Sequence, residues 1–314
     1  MPGGSGQIGT LLARHFVEQG HDVVILSRGQ ACALGRVVPW DAERLGDWAV
    51  ELEGADVVIN LAGRSVNCRY HRCNRREILA SRLNSTRLVG QAIALARHPP
   101  RLWLQAGTAT VYAHRFDAAN DEDTGILGGA EPEAPDTWRF SIEVAKAWEQ
   151  ACNEAETPHT RKVILRSAMT MSPDPGGVFA VLLGLVRRGL GGRAGDGRQY
   201  VSWIHELDFI AALEWLVAHV EISGPINVCA PNPLPNADFM RILRETWGRG
   251  WGLPASRWML EAGAFVLRTE TELILKSRRV VPGRLLTSGF RFRFPEWAGA
   301  AADLCDRWRK RRAA

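Results

Sequence analysis

Glycines at positions 3, 6 and 9, in the run Gly3-Gly4-Ser5-Gly6-Gln7-Ile8-Gly9, constrain this chain more than any other feature. A turn of this spacing joins a buried strand to a helix. One glycine allows the bend, one lets backbone approach a pyrophosphate, and one lets helix pack on strand. Gln7 and Ile8 open the helix, whose N-terminus then faces phosphate. Only Met1 and Pro2 precede the turn, where such a fold places a central strand of about 5 residues. A true start upstream of Met1 is expected; the other reading is a sheet short of one central strand.

A chain of 314 residues, 46% hydrophobic and 23% charged, has room for one large α/β unit and a smaller domain. Its net charge of +5 is mild and partly concentrated in Arg187-Arg188 and in Arg307 to Arg312. These clusters read as solvated helix ends, so neither nucleic acid nor membrane is expected as a partner. No apolar run approaches the roughly 20 residues of a membrane span, and no signal peptide is evident. A cytoplasmic protein, monomeric or homodimeric, with a small-molecule substrate is expected. Cys32, Cys68, Cys73, Cys152, Cys229 and Cys305 show no zinc-ligand spacing and read as reduced thiols.

Helical and strand periods alternate through the first half, as a doubly wound parallel sheet requires. Ile8, Leu11, Leu12 and Phe16 share a helix face. Val23–Leu26, Asp56–Asn60, Leu102–Gln105 and Val163–Arg166 read as strands. Helices are expected over about 81–96 and 141–154. Residues 1–170 form the expected nucleotide-binding domain, to which about 200–230 return; 171–314 form a small α+β lid carrying helices over about 237–247 and 256–267, the former capped by Asn236.

The end of the second strand is where such folds meet the adenosine ribose. An acidic residue there would repel a 2′-phosphate, whereas this chain has Ser27-Arg28, which favours NADP(H) over NAD. The competing reading of Arg28 is a solvated side chain after a strand. Asp41 reads equally as an adenine neighbour or a turn residue.

Asn60-Leu61-Ala62-Gly63, the stretch Glu77 to Arg87, Ser202-Trp203-Ile204-His205, Gly224-Pro225-Ile226-Asn227-Val228 and Ser288 to Phe292 together carry a resemblance. The chain resembles an extended short-chain dehydrogenase/reductase, an epimerase-family protein with a C-terminal domain of unknown function. The resemblance implies an NADP-binding Rossmann domain closed by a small domain. It places Leu61, Ala62 and Gly63 against the dinucleotide and Glu77 and Arg82 near it. Thr170, just beyond the fifth strand, is expected on the nicotinamide side.

That superfamily works with a Ser or Thr, a Tyr and a Lys. Thr108, four residues before Tyr112, matches the hydroxyl position. The Tyr-x-x-x-Lys dyad is absent: four residues before Lys146 stands Ile142, and the register set by Glu149 puts Ser141 at the tyrosine and Ala145 at the lysine. Tyr112 is the remaining proton-transfer candidate, with Glu143, Lys146 and His205 as further ionisable groups, His205 reading better as a strand-end tie. Two functions stand open: an NADP(H)-dependent oxidoreductase or epimerase using Thr108 and Tyr112, or an NADP(H)-binding sensor without turnover.

Overall fold

The computed structural model of the chain describes residues 1–29, 34–131, 134–256, 258–261 and 270–313. After the glycine turn, α1 (Gln7–Glu18) leads to β1 (Val24–Ser27), β2 (Arg36–Pro39) and β3 (Val57–Asn60). Then come α2 (Arg72–Leu95), β4 (Leu102–Thr108), α3 (Asp136–Asn153) and β5 (Arg161–Ser167). The second half holds β6 (Met169–Met171), α4 (Val178–Arg187), β7 (Tyr200–Val201), β8 (Trp203–His205), α5 (Glu206–Ala218), β9 (Gly224–Val228), β10 (Leu234–Pro235) and α6 (Asn236–Trp247). Three further helices follow: α7 (Glu272–Leu275), α8 (Gly283–Thr287) and α9 (Trp297–Ala313).

β1 and β2 pair in parallel, as do β3, β4, β5 and β9 in that order. Met1–Gly3 closes the space between the two groups. Leu26 N–H donates to Met1 O at 3.1 Å and Gly3 N–H to Leu26 O at 2.9 Å, while on the other side Leu61 N–H donates to Pro2 O at 2.8 Å. The order β2-β1-(Met1–Gly3)-β3-β4-β5-β9 is that of a Rossmann sheet, with its switch point beside the glycine turn.

Side chains alternate along the strands and fill two layers. Leu104, Val163, Leu165 and Ile226 meet Leu11 and Leu12 of α1 and Phe209 and Leu213 of α5 on one face. Trp103 and Ile164 meet Leu88, Val89 and Ile93 of α2 on the other. A second core joins α4, α6 and α9 to β8, with Trp297 stacked on Phe239 at 4.1 Å between ring centres.

Several elements differ from the sequence expectation. α2 begins at Arg72 and α3 at Asp136, earlier than apolar periodicity alone indicates, because their first turns are held by polar contacts such as the Arg75–Asp136 ion pair. β2 was not anticipated; it is a four-residue parallel edge strand of partly exposed residues. Ser202 separates β7 from β8, its hydroxyl donating to Arg278 O at 2.6 Å and accepting from Val280 N–H at 2.9 Å. Asn236 does not cap α6: its Oδ1 accepts from Ala194 N–H at 2.8 Å and Pro235 stands at the cap. The helix expected over 256–267 lies largely outside the described residues.

A β-carbon at Gly9 would lie 2.3 Å from Gly4 O and 2.4 Å from Gly4 Cα, so the helix and its turn touch through backbone alone. Gly9→Ala is expected to cost about 1–3 kcal/mol by forcing these segments apart. A lowered urea midpoint with an unchanged slope would show it.

Candidate active site

The carboxyl ends of β1 and β3 flank the glycine turn. A β-carbon at Gly3, whose φ is +71°, would lie 2.6 Å from Ala62 Cα, so Leu61 and Ala62 run directly against the turn. Ser27 Oγ donates to Ser5 Oγ at 2.9 Å and ties the end of β1 to the same place. Gly6 caps α1 with no side-chain hydrogen bond, and a β-carbon there would meet only Gly3 O, at 3.7 Å. The helix therefore presents free backbone N–H groups and partial positive charge to an open cradle, a fit for a pyrophosphate. Gln7 reaches across to Gly177 at the head of α4, and its buried Nε2 lacks a hydrogen-bond partner. Arg28 is exposed at the rim. Asp41 forms a turn, its Oδ1 accepting from the N–H groups of Glu43 at 2.9 Å and Arg44 at 3.1 Å.

Beyond the end of β4 lies a cavity of about 250 Å³. Thr108 and Gly107 form its floor, Arg82 and Ile78 come from α2, and Ser141, Val144, Ala145 and Trp148 from α3. Tyr70 and, from the C-terminal region, Glu272 and Arg278 complete it. Thr108 Oγ1 accepts from Thr110 N–H at 3.2 Å and donates to no protein acceptor among the described residues. Arg82 crosses the face of Trp148 at 4.9 Å, next to Gly63, and donates to the carbonyls of Arg64 and Ile78. Burial pulls its pKa down to about 10. Glu77, by contrast, faces outward and pairs with Arg64.

Ser141 Oγ donates to Glu272 Oε2 at 2.5 Å. Glu272 is buried, and burial raises its carboxyl pKa against the opposing pull of Arg278, Ser141 and Lys276. Tyr70 lies beside this pair, its phenol pushed up to about 12, first by burial and then by Glu272. The Arg278 Nε donates to Thr110 Oγ1 at 3.1 Å, and Lys276 Nζ donates to Thr110 O at 2.7 Å. Ser202 holds the backbone of Arg278 and Val280, so the segment Lys276–Val280 is a strap carrying Lys276 and Arg278 to Thr110, just beyond β4.

Tyr112 requires a correction. It is buried, its hydroxyl donates to Asn227 Oδ1 at 2.9 Å and accepts from Arg166 at 2.8 Å, and Arg166 is itself held by Glu149 at 2.8 Å. Burial pushes its pKa up to about 12. It is absent from the cavity lining; the geometry makes it a brace between β5, β9 and the strap rather than a proton carrier. Thr170 sits in β6 opposite Ile204, buried and outside the cavity. Glu143 and Lys146 are exposed, and no ion pair joins them among the described residues. His205 caps α5: Nδ1 accepts from Leu207 N–H at 3.1 Å, which leaves Nε2 to donate to Asp303 at 3.0 Å in the neutral ring. Burial accordingly lowers its pKa to about 4. Tyr70, Thr110, Glu272 and Arg278 had no local signature, being brought together only by folding.

A doubly wound parallel sheet whose switch point lies beside a glycine-rich turn, with a cavity beyond the end of β4, defines the Rossmann class of fold. The chain belongs to the NAD-dependent epimerase/dehydratase family, whose model matches residues 1–229; a domain of unknown function, DUF1731, matches residues 255–304. It is 32% identical over 307 residues to human epimerase family protein SDR39U1, covering 96% of this chain and 97% of the relative. It is 31% identical to epimerase family protein YfhF of Bacillus subtilis, over 97% of this chain and 96% of that one. The crystal structure of human SDR39U1 (isoform 2) with NADPH superposes with a TM-score of 0.84 at 29% identity, over 97% of this chain and 98% of that one.

Tyr112→Phe strands the Asn227 and Arg166 groups and is expected to cost about 1–3 kcal/mol in urea unfolding. Lys276 supplies a pH signature. Burial lowers its pKa from 10.5 to about 7, so between those values the unfolded chain holds a proton the folded protein lacks. Stability therefore rises with pH across that window through this group. In Lys276→Met the gain between about pH 7 and pH 9 should shrink, read as the difference between the two proteins' unfolding free energies.

Proposed function

We propose that the chain is an NADP(H)-dependent oxidoreductase or epimerase in which Glu272, acting through Ser141, replaces the missing tyrosine as the proton-transferring group. The observation that carries this is the 2.5 Å Ser141–Glu272 hydrogen bond inside the cavity that Thr108 floors. Ser141 stands where the short-chain dehydrogenase fold expects its tyrosine. A serine hydroxyl is too weak an acid to serve alone, but a buried carboxyl with a raised pKa can supply or accept the proton across it. Thr108 orients the substrate oxygen. Arg82 and Arg278 stabilise negative charge developing on that oxygen in a site with little water.

Support for the cofactor comes from the uncapped α1 N-terminus, the approach of the turn to Leu61 and Ala62, and the Ser27-Arg28 pair at the end of β1. Gly3, Gly6, Gln7, Ile8 and Gly9 would hold the pyrophosphate, Ser27 and Arg28 the 2′-phosphate, and Gly63 and Arg82 the path to the cavity. Once bound, NADP(H) supplies the hydride acceptor or donor. Ala145, small and buried, gives no cation at the lysine position, and Arg82 is the positive group on the same cavity wall.

Tryptophan-fluorescence titration should show NADPH bound more tightly than NADH, and Arg28→Ala should erase roughly 10- to 100-fold of that preference, the worth of one charge-assisted contact. In a carbonyl and nucleotide-sugar screen followed by reduced-nicotinamide absorbance, Glu272→Gln should lower turnover about 100-fold or more with NADPH affinity unchanged. Equal turnover in the variant would remove the acid role. Tight NADPH binding with no turnover on any compound would favour the second reading, a cofactor-binding protein without catalysis, to which the loss of the dyad at Ser141 and Ala145 points.

A further inference from the structure

On the face formed by α4, α6 and α9, the C-terminal ends of these three helices meet around a second pocket of about 460 Å³, lined by Gly184, Arg187, Arg188, Trp247, Arg249 and Arg312. Its guanidinium groups find little to neutralise them. Arg309 next to it pairs with Asp306 and Arg311 with Asp174, but among the described residues none of Arg187, Arg188, Arg249 and Arg312 is in an ion pair. Arg188 and Arg249 donate to main-chain carbonyls, of Gly184 at 3.2 Å and Arg187 at 3.3 Å. Arg187 and Arg312 lie over the rings of Trp247 and Trp308 at 6.0 and 5.4 Å. The three helix ends together supply about −1.5 charges of dipole. Against four guanidiniums this leaves an excess of roughly two and a half positive charges facing one concavity.

Like charges gathered at one point repel, and packing does not require them here: the core beneath is made by Phe179, Leu183, Leu243 and Trp297. We infer that this pocket binds a phosphate-bearing anion with about two to three negative charges, a diphosphate or a pair of neighbouring phosphate groups. Planar, donor-rich guanidiniums converging on a pocket of this size suit phosphate oxygens better than a single carboxylate. The site is separate from the cofactor cradle and from the active-site cavity, sharing no residue with either. An apolar rim adjoins it, with Trp251 lying over Gly189 and Leu190 and Leu253 exposed, so the phosphate can come from a soluble diphosphate or from a lipid headgroup.

The test uses the full chain saturated with NADPH, so that the cradle is not a competing anion site. Calorimetry with inorganic pyrophosphate should show one site, weakened by salt, and Arg187→Glu/Arg312→Glu should weaken it by roughly 10- to 100-fold. Arg97→Glu/Arg101→Glu, which makes the same charge change at exposed positions elsewhere, should leave it intact. Co-sedimentation with phosphatidylcholine vesicles, with and without a phosphoinositide, distinguishes the source. Capture by phosphoinositide vesicles alone, lost in the first variant and competed by pyrophosphate, identifies a headgroup. Pyrophosphate binding without vesicle capture identifies a soluble ligand. Absence of both, or equal loss in the two double variants, overturns the site.

Discussion

The sheet is held together at its centre by three residues. Met1–Gly3 donate to and accept from β1 on one side and accept from Leu61 on the other, and without those bonds the pair β1-β2 would have no ladder to the rest. Everything functional hangs on that seam. It fixes the turn that starts α1, sets the backbone of Leu61 and Ala62 against Gly3, and places the switch point where a dinucleotide can lie across the strand ends. The seam explains why glycines are needed at positions 3 and 9: the nearest atoms are backbone, which cannot move aside as a side chain can.

From this frame the cavity is built by long-range contacts. β4 delivers Thr108 at its end, α3 delivers Ser141, α7 delivers Glu272 and the C-terminal strap delivers Arg278. The strap is fastened at several points, by Ser202 to its backbone, by Lys276 to Thr110, and by Asn227 to Val281 O at 2.9 Å. Tyr112 belongs to this fastening. Its hydroxyl links Arg166 of β5 to Asn227 of β9, so a residue one turn from the cavity acts on it only through the scaffold.

The parts of the site that are local in sequence were legible there. The glycine spacing indicated the turn that opens α1, Ser27-Arg28 fell at the end of β1, and Thr108 fell on the cavity lining, because each depends on a few neighbouring residues with a strong backbone preference. Tyr70, Thr110, Glu272 and Arg278 were not legible. Ser141 and Glu272 are 131 positions apart, and no propensity or period connects a serine on one helix to a glutamate on another. Tyr112 misled for a related reason: position after a strand suggests access to the cleft, whereas the ring turns inward to satisfy Arg166 and Asn227 in the core. β2 went unseen because its short, half-exposed run lacks the burial signal of a central strand.

The Ser141–Glu272 contact joins α3, in the first half of the chain, to α7 in its C-terminal part. Under the proposed mechanism a serine of α3 needs a carboxyl from α7, so the proposed proton-transferring pair requires both parts of the chain to be folded together.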